Sequence, residues 1–67
     1  MKTLAQRVTD LRSEGAEARM YAWQALDKRQ RGAAEQVQAW LDISLAHEMA
    51  ADALEELDKL PDENGGD

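Results

Sequence analysis

Apolar residues recur along this chain at spacings of three and four, in two runs separated by a break at Gly32. The first run is Leu4, Val8, Leu11, Gly15, Ala18, Ala22 and Ala25, with Leu26 beside the last. The second is Ala39, Ile43, Ala46, Ala50, Ala53, Leu57 and Leu60, with Leu54 alongside. This spacing gathers apolar side chains on one stripe of a helix, in a heptad-like seam. Glu48, Asp52, Glu55 and Lys59 hold the same spacing as a polar stripe on the opposite face of the second run. No stretch shows the strict alternation of a half-buried strand. The pattern predicts an all-α chain.

Local signals place the helix ends. Thr3-Leu4-Ala5-Gln6 matches a capping box, in which the Thr hydroxyl and the Gln amide satisfy orphan N–H groups. The first helix is expected over about residues 4–30. Lys28, Arg29 and Arg31 set positive charge at its negative dipole end, and Gly32 can take a left-handed C-terminal turn. The second helix is expected over 33–60, because Pro61 cannot continue it. Residues 61–67 contain no apolar anchor beyond that proline and are expected to be a disordered acidic tail after a hairpin domain of residues 1–60. One long kinked helix is the competing arrangement.

Folding the chain at Gly32 makes the two seams match when antiparallel, with paired positions summing to about 64. Leu4 then lies by Leu60, Val8 by Leu57, and Leu11 by Ala53 and Leu54. Gly15 meets Ala50, Ala18 meets Ala46, and Ala22 meets Ile43. Glycine inside a helix costs about 1 kcal/mol relative to Ala, so close packing is the expected reason for Gly15. A seam this rich in Ala and Gly is too thin to carry a fold alone.

The large apolar residues fall largely off that seam. Ala16, Met20 and Trp23 lie on one flank of the first helix and Tyr21 on the other. Val37, Trp40, Leu41 and Leu45, with Met49 at the edge, lie on the face of the second helix away from Ile43. Exposed on a monomer they would form an apolar patch that demands cover. A second hairpin packed there gives a four-helix assembly. The expected homodimer interface is Met20, Trp23, Val37, Trp40, Leu41 and Leu45. The same aromatic cluster also suits a docking surface for a foreign protein, since Trp, Tyr and Arg are enriched in interface hot spots. Arg19, Tyr21, Lys28, Arg29 and Arg31 are the expected partner-binding residues.

Composition narrows the chemistry. A 67-residue chain is marginal as a monomer and commonly needs disulfides, a metal or oligomerisation. With no Cys and His47 the only His, oligomerisation is the remedy left. No apolar run approaches a membrane span, and the N-terminus lacks a signal-peptide core, so a cytoplasmic location is expected. Net charge is −6 and uneven. Residues 1–41 hold seven Lys/Arg against five acids, +2, whereas residues 42–67 hold nine acids against Lys59, −8. Phosphate backbones repel such a surface, which disfavours nucleic acid. His47 lies beside the seam and reads as a structural or interface histidine. The acids Asp52, Glu55 and Glu56 read as a solvated face. The Glu-x-x-His motif of a di-iron bundle is missing, as are a nucleophile with its base, a phosphate loop and a calcium loop. No catalysis and no cofactor are expected.

The capped start at Thr3–Gln6, the mid-chain turn and the acidic Pro61–Asp67 tail give a layout that resembles Rop-type plasmid copy-number regulators. Those are helical hairpins that dimerise into four-helix bundles and bind RNA loops. Here Arg7, Arg12 and Arg19 point in different directions, so a basic RNA-binding face is not matched. The layout also resembles short phage-encoded inhibitors of the quorum-sensing anti-activator type, which are dimers of helical hairpins that bind host regulators. The resemblance covers residues 3–60 in architecture, without a diagnostic motif, and carries over no functional residue. It implies a small regulatory protein that binds and inhibits a cellular, bacterial-host regulatory protein as a hairpin dimer. An RNA-binding regulator and a purely structural assembly subunit are the alternatives.

Overall fold

Helix α1 spans Leu4–Lys28 and helix α2 spans Ala33–Lys59 in the computed structural model, which describes residues 1–60. The expected disordered tail at 61–67 lies outside the described residues. The capping box forms as the sequence predicts: Gln6 N–H donates to Thr3 Oγ1 at 3.1 Å, and Thr3 N–H donates to Gln6 Oε1 at 2.9 Å. Two N-terminal donors are thereby satisfied before α1 begins its ladder. At the C-terminal end of α2, Leu60 adopts φ −66° and ψ 140°. That extended geometry is what a following proline imposes on its neighbour.

The turn is built differently from the expectation. Helix α1 ends at Lys28, two residues before Gln30, and Arg29 takes the left-handed cap at φ 49°, ψ 39°. Its N–H reaches back to Ala25 O at 3.3 Å. Gly32 is also left-handed, at φ 81°, and serves as the N-cap of α2, with its carbonyl accepting from Gln36 N–H at 3.1 Å. The two left-handed residues reverse the chain within four residues, which excludes the single kinked helix.

The helices then run antiparallel. Arg12 reaches Asp52 and Glu55, Glu14 reaches His47, and Tyr21 meets Trp40. Their position sums, 61 to 67, bracket the expected 64, so the register holds. The face of α2 does not. The stripe turned toward α1 is Ala33, Val37, Trp40, Ser44, His47, Ala51 and Leu54, all buried or half-buried. The expected α2 seam of Ala39, Ile43, Ala46, Ala50, Ala53, Leu57 and Leu60 faces solvent; Ile43 is 41% exposed and Leu57 51%. From Ala39 to Ala53 the true stripe lies one residue later, a rotation of about 100° about the α2 axis. The observed rotation brings Val37 and Trp40 inward and leaves Ile43, Leu57 and Leu60 exposed. It also sets two small residues, Ser44 and Ala51, at the buried positions of α2, with the Ser44 carbonyl facing Gly15.

The centre of the hairpin consists of Gly15, Ala18, Ala22 and Ala25 on α1 against Ser44 and Ala51 on α2. Gly15 does not meet Ala50. A Cβ there would lie 3.3 Å from the Ser44 carbonyl oxygen, 3.4 Å from His47 Cβ and 3.5 Å from Glu48 Cγ.

The turn and the crossing each generate a test. Gly32→Ala forces a left-handed alanine and is expected to cost about 1–2 kcal/mol, whereas Arg29→Gly relieves the same strain and should stabilise. Opposite shifts of the urea midpoint check this; equal shifts contradict it. At the crossing, Gly15→Ala should come out near neutral, because a helix-propensity gain of about 1 kcal/mol is set against a tight backbone contact. Gly15→Leu should lose about 1–3 kcal/mol by overpacking. A neutral Leu variant in thermal melts would disprove the close crossing.

Candidate functional site

The seam's small residues leave the hairpin two distinct flanks. On the first, α1 presents Arg12, Ala16, Arg19, Trp23 and Leu26 at spacings of four and three. Arg12 and Arg19, expected to point in different directions, therefore share one flank, because seven residues are close to two turns. On the same side, α2 presents Leu41, Leu45, Glu48, Asp52 and Glu55 at equivalent spacings. Near the turn these stripes border an open groove of about 230 Å³, lined by Arg19, Ala22, Trp23, Leu26, Val37 and Leu41. Trp23 stands over it at 60% exposure. A second hollow of about 460 Å³ continues to the turn between Leu26, Arg29 and Val37. Toward the open end the flank changes from apolar to charged. Arg19 pairs with Glu48, and the Arg12 guanidinium donates to Asp52 at 3.0 Å and Glu55 at 3.1 Å. The hydrogen bond to Asp52 is the main cause holding the Arg12 guanidinium above its ordinary pKa. The group is charged throughout the working range in any case.

The second flank is more polar. Glu14 Oε2 lies 3.1 Å from His47 Nε2, and His47 Nδ1 lies 2.7 Å from the Ile43 carbonyl oxygen. A carbonyl only accepts, so Nδ1 carries the proton that is donated to it. His47 thus braces the crossing beside Gly15, in keeping with a structural histidine. Nearer the turn, Tyr21 and Trp40 pack with ring centroids 4.8 Å apart and planes tilted by 39°.

The expected site residues therefore separate. Of the expected dimer set, Trp23, Val37 and Leu41 come together around the groove. Leu45 continues that flank, 55% exposed. Met20 projects from the side of α1 away from α2, and Trp40 turns inward against Tyr21. Of the expected partner-binding set, Arg19 is engaged by Glu48 and Tyr21 by Trp40. Lys28, Arg29 and Arg31 cluster at the turn and make no ion pair among the described residues. Sequence reasoning did not place Leu26 in the groove or pair Glu14 with His47. The stripe 12, 16, 19, 23, 26 is the signal that finds Leu26. Among the described residues no group of three or more His, Cys, Asp or Glu side chains is placed to hold a metal ion, and no helix is long and apolar enough to cross a membrane.

No family model, no curated protein and no solved structure matches this chain. The class that the fold defines is the all-α, antiparallel two-helix hairpin, which agrees with the architecture of the helical-hairpin regulators and goes no further.

The aromatic contact gives a prediction. In a double-mutant cycle, Tyr21→Ala and Trp40→Ala should couple by about 0.5–1.5 kcal/mol in urea unfolding. Strict additivity would mean that the rings do not stabilise each other.

Proposed function

We propose that this chain is a non-catalytic protein-binding module that works as a homodimer of hairpins and inhibits a cellular regulatory protein. One observation carries the reading. The hairpin buries only alanines, Gly15 and Ser44, with no large side chain fully buried, while Trp23, Leu26, Leu41 and Leu45 stand exposed on a single flank. Burial of large side chains supplies most of the stability of a small domain, at about 1.5–3 kcal/mol each. A hairpin that keeps them outside favours a partner that covers them.

The dimer's cover is the groove flank, with Trp23, Val37, Leu41 and Leu45 in its interface. The regulatory partner is left the basic turn, where Lys28, Arg29 and Arg31 favour an acidic surface. An RNA-binding role is less supported, because Arg12 and Arg19 are already held by carboxylates.

Light scattering at micromolar concentration should give about twice the 7.5 kDa chain mass. Trp23→Ala combined with Leu41→Ala should halve that mass. Lys28→Ala with Arg31→Ala should leave the dimer intact and abolish capture of a regulatory protein from bacterial lysate. A folded wild-type monomer defeats the reading, as does a chain that shifts RNA in a gel and retains no protein.

A further inference from the structure

We infer that the second copy packs on the groove flank with both turns at the same end, its two-fold axis running parallel to the helices. This rests on the dimer proposed above and specifies its geometry.

Charged and apolar side chains occupy distinct levels along the flank. Helix α1 contributes Arg12 and Arg19 toward the open end, then Trp23 and Leu26 toward the turn. Helix α2 contributes Asp52, Glu55 and Glu48 toward the open end, then Leu45 and Leu41 toward the turn. Within one hairpin these levels already correspond: Arg12 pairs with Asp52 and Glu55, Arg19 with Glu48, and Trp23 shares a groove with Leu41. The α1 side of the flank is thus cationic and apolar, and the α2 side is anionic and apolar, in the same order from the open end.

A two-fold axis parallel to the helices sets α1 of one copy over α2 of the other without changing level. Arg12 then meets Asp52 and Glu55 of the second copy, Arg19 meets its Glu48, and Trp23 meets its Leu41 and Leu45. Neighbouring helices are antiparallel throughout, and the overlap runs the whole length of the hairpin. The flank is self-complementary, because Trp23 is a knob beside the hollow floored by Ala22 and Val37. A perpendicular axis at full overlap sends the turns to opposite ends. It lays Trp23 and Leu41 over the charged Arg12–Asp52 level, burying ion pairs against rings that offer them no further hydrogen bond. Sliding that arrangement until the apolar patches meet leaves only half of each hairpin covered. Turns at one end do bring two cationic loops to the same end. Asp27 and Glu35 reduce each to about +1 over residues 27–35. These groups are exposed, and charges separated by more than about 8 Å are screened at physiological salt.

The chain has no cysteine, so a single introduced one carries a nitroxide at one known place. Gln30→Cys labels the turn and Lys59→Cys labels the open end; both positions are exposed. Pulsed dipolar spectroscopy on each full-length labelled dimer should give a modal separation below about 25 Å at both positions, the width of a four-helix bundle with axes 8–10 Å apart plus the label arms. The 27-residue α2 is about 40 Å long, so turns at opposite ends put both separations at about 40 Å or more. A half-overlapped arrangement makes the Lys59 separation the longer of the two. A long separation at either position, with a dimeric mass, overturns the geometry and leaves the dimer reading standing. A monomeric mass with no dipolar signal overturns both, including the case in which the groove takes up a foreign amphipathic helix instead.

Discussion

The approach of the two backbones at Gly15 governs the rest of this hairpin. With the Ser44 carbonyl 3.3 Å from where a Cβ would stand, α1 and α2 leave hardly any room for a side chain there. Ala18, Ala22 and Ala25 on one side, and Ser44 and Ala51 on the other, keep the gap narrow over several turns. Close approach favours dispersion between the backbones, and it leaves no room for a large side chain at the crossing itself.

That exclusion shapes both flanks. Large residues that the crossing cannot hold lie beside it or farther along the helices, where each finds what cover it can. Tyr21 and Trp40 cover one another. Trp23 and Leu41 border a groove left open among the described residues. The charged residues follow the same geometry. With the axes so close, Arg12 and Arg19 on α1 span the narrow gap to Asp52, Glu55 and Glu48 on α2. Exposed pairs of this kind contribute little stability. Their value is directional, because they disfavour rotations of α2 that separate them.

The same imbalance sets what the surface has to offer. A seam of alanines sets the register and spacing of two helices with little stabilisation of its own. The surface left over is asymmetric, with a mixed apolar and charged flank on one side and a basic turn at one end. The proposed division of labour assigns self-association to the flank and partner capture to the turn.

Much of this was legible in the sequence. The capping box at Thr3 and Gln6, the two helices, the reversal near Gly32 and the small-residue crossing at Gly15 all follow from short-range chemistry and spacing. The antiparallel register follows as well, since the turn fixes which levels meet. The rotation of α2 does not. Its apolar residues are spread more evenly around the helix than those of α1, so the stripes through Ile43 and through Ser44 compete on nearly equal terms. One residue separates them. The choice between them fell to contacts between residues far apart in the chain: Trp40 against Tyr21, Ser44 under Gly15, and carboxylates within reach of Arg12 and Arg19. Which residue of the turn would take each left-handed position was likewise a matter of joining two helices already set at a given distance. Local sequence determined that there would be a hairpin; the tertiary contacts decided which face of α2 it would close upon, and so which flank it would leave open.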